Sequence, residues 1–169
     1  LHDKGYDCDA LPSHGDWNES DWEKDQNRLC DWLGELPKPV GVFAANDQLG
    51  VRILDACQRL GIAVPEDVAV VGTENEETLC SFSTPTLTSV QFDGGQVGYR
   101  AAELLDALMS GEKAPQETLI EPPGIVARAS TDDLVIHDGL ARSAVRMIRE
   151  RALSGINVAE VSRTLNVSR

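Results

Sequence analysis

Phe43-Ala-Ala-Asn-Asp-Gln-Leu-Gly50, followed by Leu60-Gly-Ile-Ala-Val-Pro-Glu-Asp-Val-Ala-Val-Val-Gly-Thr-Glu-Asn75, decides how this chain folds. The first stretch reads as the end of a buried strand, Val40 to Ala45, whose polar tip Asn46-Asp47 runs at once into a helix, Gln48 to Leu60. The second reads as a helix stop at Gly61, an apolar strand from Asp67 to Val71, and another polar tip at Glu74-Asn75. In an open parallel sheet, ligands bind in the crevice beyond the carboxyl ends of the strands. Two tips that carry carboxylate and carboxamide groups therefore make a candidate site for a ligand rich in hydroxyls.

Outward from this centre, strand-like and helical segments alternate from residue 7 to 130, the pattern of an α/β fold with a parallel sheet and crossover helices. Asp7 to Leu11 reads as a short strand before a polar loop. Asp21 to Leu36 is helical, with Trp22, Leu29, Trp32, Leu33 and Leu36 at helical spacing, and Pro37 and Pro39 stop it. In the next helix Val51, Leu54, Ala56, Cys57 and Leu60 are expected to face inward. Thr86 to Val90 reads as a strand, and Asp93-Gly94-Gly95 opens a helix through Met109 that Gly111 ends. Thr118 to Ile120 and Gly124 to Ala127 read as closing strands. After Ala129-Ser-Thr-Asp-Asp133 only helix follows: Gly139 to Leu153, a break at Ser154-Gly155, then Val158 to Leu165. Asn157 and Glu160 have the spacing of a capping box. A third helix is expected to begin at Ser168-Arg169, which makes this a helix-turn-helix pattern.

Of the 169 residues 41% are hydrophobic, enough for the core of an α/β domain. No apolar run approaches the roughly 20 residues needed to span a bilayer. The chain starts without Met in what reads as mid-element, and so is expected to be a piece of something longer. Cys8, Cys30, Cys57 and Cys80 lie far apart without metal-ligand spacing and read as buried, reduced thiols, which fits the cytosol. The net charge of −13 argues against a nucleic-acid sheath, but its distribution is uneven. Residues 1–37 hold ten acids against Lys4, Lys24 and Arg28, a balance of −7; residues 138–169 hold six arginines against Asp138, Glu150 and Glu160, a balance of +3. An acidic body with a basic tail suits a regulator with an appended DNA reader. His2, His14 and His137 share no spacing, and no nucleophile elbow, phosphate loop or paired-carboxylate motif is present, so no catalytic or metal site is expected.

Six motifs together resemble the effector domains of LacI/GalR-type sugar-responsive transcription regulators: Gly15-Asp16-Trp17, Ala44-Ala-Asn-Asp-Gln48, Leu60-Gly-Ile-Ala-Val-Pro65, Asp67-Val-Ala-Val-Val-Gly72, Thr84-Pro-Thr-Leu-Thr-Ser-Val90 and Ala127-Arg-Ala-Ser-Thr131. The tail Ile148-Arg-Glu-Arg-Ala-Leu-Ser-Gly-Ile-Asn-Val-Ala-Glu-Val-Ser-Arg163 resembles the first helix-turn-helix of AraC-type regulators. Effector body first and AraC-type reader last is the arrangement of xylose operon regulators. Arg28-Leu-Cys-Asp-Trp-Leu-Gly-Glu-Leu-Pro37 and Glu74-Asn-Glu-Glu77 are similar to that family in particular. The resemblance implies a type I periplasmic-binding-protein-like parallel sheet with flanking helices, mainly one lobe, followed by the start of an all-α helix-turn-helix module. It divides the chain into a partial effector domain, 1–131, and a truncated reader, 132–169. Within the first part, 1–90 form the C-terminal lobe, 91–122 return to the N-terminal lobe and 123–131 form a closing strand.

The implied partners are a pentose effector such as D-xylose, operator DNA in the full-length protein and a second copy in a homodimer; no membrane, cofactor or enzymatic activity is implied. Glu74 stands where the family usually has Asp and is the first candidate for accepting hydrogen bonds from vicinal hydroxyls, beside its plainer reading as a solvated loop acid. Asn46 and Asp47 are placed at the cleft, Asp47 being the contact that xylose regulators imply first, and either also suits a helix cap. Trp17 is placed over the apolar C–H face of the sugar; otherwise it packs on Trp22. Arg163, Ser168 and Arg169 are candidate DNA contacts, whereas Arg142, Arg146 and Arg149 fit a solvated helix face. Two rival functions remain: a periplasmic sugar-binding protein of a transporter, and a sugar-acting α/β enzyme.

Overall fold

A computed structural model describes residues 5, 8–11, 22–132 and 139–167. Contacts divide the chain into two compact units, Leu1–Asp132 and Asp133–Arg169.

The first unit is built on a four-stranded sheet in the order β1-β2-β3-β4, with β1 Val40–Phe43, β2 Val68–Glu74, β3 Thr88–Gln91 and β4 Ile125–Val126. β1 pairs parallel with β2, placing Phe43 opposite Val71, and β2 pairs parallel with β3, placing Glu74 opposite Gln91. β4 returns antiparallel to β3. Helix α1 (Trp22–Glu35) precedes β1, and α2 (Asp47–Leu60), α3 (Glu77–Phe82) and α4 (Gly94–Met109) connect successive strands.

The core is where α1 and α2 meet and where α2 meets β2. Leu29 and Leu33 of α1, Val42 and Ala44 around β1, Ile53, Leu54 and Cys57 of α2, and Val68 and Val70 of β2 are all buried. Each large aliphatic side chain in this set contributes about 1.5–3 kcal/mol on leaving water. α2 begins and ends by capping. The Asn46 side chain accepts from the Leu49 N–H, and Gly61, at φ +67, sends its N–H to the Gln58 carbonyl while Ile62 reaches Cys57. That pair of bonds is a Schellman stop, which a residue without Cβ adopts at least cost.

Several expectations need correction. β2 runs three residues further than the Asp67 to Val71 expected, because Gly72, Thr73 and Glu74 find a ladder on Ser89, Val90 and Gln91. Residues 8–11 form no strand, and neither do residues 118–120; a strand needs a neighbouring ladder, and none of the four strands offers them one. α3 was not foreseen; Glu76 caps it by accepting from Thr78 and Leu79. Trp22 and Leu60 are exposed rather than core. Trp22 lies at the start of α1, where the Arg59 and Arg52 guanidinium carbons sit 5.4 and 5.7 Å from its ring centroid. Its expected place in the apolar stripe is occupied one turn later by Gln26, which is fully buried. Gln26 donates to the Arg52 carbonyl and to Asp55 and accepts from Arg52 Nε. Cys57 and Cys80 are buried, Cys30 is partly buried and Cys8 is exposed, and all four are free thiols. Burial pushes both the Cys57 and the Cys80 thiols up to about 11.

α4 contains no buried residue, and Tyr99, Leu105, Leu108 and Met109 on it are exposed. Among the described residues, no helix is long and apolar enough to cross a membrane.

The second unit comprises α5 (Gly139–Arg151), a 3-10 turn (Ala152–Ser154) and α6 (Val158–Thr164). The capping box is formed: the Asn157 side chain accepts from the Glu160 N–H, and the Glu160 side chain accepts from the Asn157 N–H. Asn166, at φ +54, ends α6, with Val167 donating to the Ser162 carbonyl.

Candidate functional site at the carboxyl edge of the sheet

Parallel pairing of β1 with β2 puts both of their carboxyl ends on one edge, and the side chains there are tied together. Ala44 donates its N–H to Val71, and Thr73 Oγ1 donates back to the Ala44 carbonyl at 3.0 Å. Asn46 is spent partly on the α2 cap. Glu74 is exposed at the end of β2. The 460 Å³ cavity lined by Gln96, Arg100, Glu103 and Ile120 shares no residue with this edge.

Asp47 takes a place that its sequence position does not announce. Its side chain is fully buried beneath the edge rather than presented to solvent. One carboxylate oxygen accepts from Ser89 Oγ at 2.6 Å, and the other accepts from the Glu76 N–H at 2.7 Å. Such charge-assisted bonds are about twice as strong as neutral ones. After burial itself, the neighbouring Asp47 carboxylate helps to raise the Cys80 thiol. Gly72 makes the arrangement possible, since a Cβ there would overlap an Asp47 carboxylate oxygen.

The tip of β2 is strained. Glu74 has φ +105 and Asn75 φ +53. Left-handed backbone is tolerated by Asn but unfavourable for Glu, and conformations of this kind cost about 1–3 kcal/mol each. They persist because the surroundings hold them. The Asn75 N–H donates to Ser89 Oγ at 3.0 Å. On the other side Arg128 Nη2 donates to Asn75 Oδ1 and to Glu77 Oε2, each at 2.9 Å, while its Nη1 donates to the Leu87 carbonyl at 2.8 Å. Glu76, whose carboxylate accepts from the N–H groups of Leu79 and Thr78, is held below the usual carboxylate range by those bonds. Asp47, Ser89 and Arg128 thus surround a backbone turn that carries the exposed Glu74 carboxylate at the end of β2.

Of the four effector-site residues expected from sequence, Asn46, Asp47 and Glu74 come together on this edge, with Asp47 underneath. Trp17 lies outside the described residues. Arg163 is exposed on α6, whereas Ser168 and Arg169 lie outside the described residues. Ser89 and Arg128 were missed as site residues although both fall inside quoted motifs. Only the pairing of β2 with β3 and the antiparallel return of β4 bring them to the tip of β2.

The model for the periplasmic binding protein-like domain matches residues 1–131. The chain belongs to the periplasmic binding protein-like domain family. Within this family, it is 38% identical over 149 residues to the xylose operon regulatory protein of Escherichia coli K12, a match that takes in 88% of this chain and 38% of that protein. The corresponding regulator of Haemophilus influenzae is also 38% identical over 149 residues, again 88% of this chain and 38% of that protein. The solved structure of the xylose-binding transcription activator xylR superposes with a TM-score of 0.70 at 38% identity, covering 92% of this chain and 40% of that one. The chain therefore spans about two fifths of the length of these regulators.

Proposed function

We propose that this chain is the partial effector domain, 1–131, and the start of an AraC-type helix-turn-helix, 132–169, of a cytoplasmic sugar-responsive transcription regulator. Its effector is a pentose, D-xylose above others, and its full-length form binds operator DNA as a homodimer and carries out no catalysis. Glu74 accepts hydrogen bonds from vicinal sugar hydroxyls, Asn46 offers its carboxamide beside it, and Trp17 stacks on the apolar C–H face. Asp47 supports the site from below. Arg163, Ser168 and Arg169 contact DNA. Sugar binding favours a closed over an open effector domain, and that shift changes how two readers match paired half-sites.

One observation carries this reading: the polar tips after β1 and β2 converge on one edge, joined through Asp47, in a chain similar to xylose operon regulators. The test is Glu74→Ala in the full-length parent. The reading expects calorimetric binding of D-xylose to be lost while thermal unfolding changes little, because Glu74 is exposed. Unchanged xylose affinity in that variant refutes it.

A further inference from the structure

We propose that Asp47, Ser89 and Arg128 are positioning residues that act on ligand through Glu74 by holding residues 74–76 in their strained backbone. Its ligand arm rests on the function proposed above; its structural arm does not. Three observations combine. Consecutive non-glycine residues at φ +105 and +53 end the strand that bears the outward carboxylate. Each backbone N–H that follows has an acceptor beneath it: Asn75 on Ser89 Oγ, Glu76 on the Asp47 carboxylate. Ser89 in turn donates to Asp47, so one hydroxyl and one carboxylate fix both peptide groups. Arg128 closes the outer side by gripping the Asn75 carboxamide while anchored to the Leu87 carbonyl. A polar network this buried would be costly if half satisfied, and the joint result of its bonds is a turn that a glutamate does not adopt on its own. Strain held by over-determined surroundings is how a binding group is fixed in direction before ligand arrives.

The test uses the full-length parent and D-xylose, with two readouts. In Ser89→Ala, amide hydrogen exchange at Asn75 and Glu76 is expected to rise at least tenfold while Val42 in β1 stays protected, and xylose affinity is expected to fall about tenfold. In a Glu74→Gln background, Ser89→Ala is expected to cost clearly less affinity than in wild type, because the group it positions is already weakened; a purely structural Ser89 would cost the same in both backgrounds. Exchange unchanged in Ser89→Ala, or an equal affinity loss in the wild-type and Glu74→Gln backgrounds, overturns the inference. If the wild-type protein binds no xylose, the functional reading fails, and the exchange readout still decides the clamp. Arg128→Lys, which keeps the charge but cannot span Asn75 and Leu87 together, gives the same exchange readout should Ser89→Ala not fold.

Discussion

Gly72→Ala places a methyl group against the centre of the site. The new Cβ would overlap Asp47 Oδ1 and lie 3.0 Å from Leu87 Cδ2 and 3.3 Å from Asp47 Cγ. Leu87 and Asp47 are both fully buried, so neither can swing into solvent. Overpacking of this kind costs about 1–3 kcal/mol. If the carboxylate moves instead, one of its bonds to Ser89 or Glu76 weakens, and a hydrogen bond to a charged group is worth about 1.5–3 kcal/mol. By either route the expected destabilisation is about 1–3 kcal/mol, a sizeable part of the roughly 5–15 kcal/mol that holds a domain together. Urea unfolding of the full-length parent should show a lower midpoint at constant slope. Gly41→Ala is the control, since nothing lies within 4 Å of the Cβ built there; it should be neutral or stabilising by up to about 1 kcal/mol. Gly72→Ala should also cost less in an Asp47→Ala background, with a coupling of about 0.5–3 kcal/mol. Equal midpoints for Gly72→Ala and wild type, or strict additivity with Asp47→Ala, would refute the steric argument.

Glu76 is held below its ordinary value of 4.5 by the N–H groups of Leu79 and Thr78. Its contribution to folding is therefore fully present above 4.5 and disappears as pH falls through its lower folded value. A carbon-detected titration should place the Glu76 midpoint below 4.5, with the Leu79 amide shifting in step; a midpoint at or above 4.5 contradicts the cap. In the second unit, Asn157→Ala removes a capping box and should cost α6 about 1 kcal/mol, while Asn157→Ser keeps most of it. Equal thermal unfolding of the Ala and Ser variants by circular dichroism would mean that the cap contributes nothing.

Much of this architecture was legible because it depends on local rules. The stops at Gly61 and Gly111, the cap at Asn157 and the apolar run of β2 are each decided within a few residues of chain. The errors fall where partners decide. Thr118 to Ile120 has strand-like composition but no ladder beside it, and Gly72 to Glu74 lies past the expected strand end at Val71 yet continues the strand because β3 pairs with it. Gln26 sits in an apolar stripe as a buried polar residue only because Arg52 and Asp55 meet it from α2.

By itself the sequence determined the α/β pattern, the two polar tips and the change to an all-helical tail, since periodicity and capping act over short spans of chain. Tertiary structure alone decided which polar groups face outward. Asn46 and Asp47 are neighbours in sequence, yet one caps a helix at the edge and the other is buried beneath it. The difference comes from Ser89, 42 residues away, and the Glu76 N–H, 29 residues away, which converge on one carboxylate. No local rule places a hydrogen-bond donor across that distance; the register of three paired strands does.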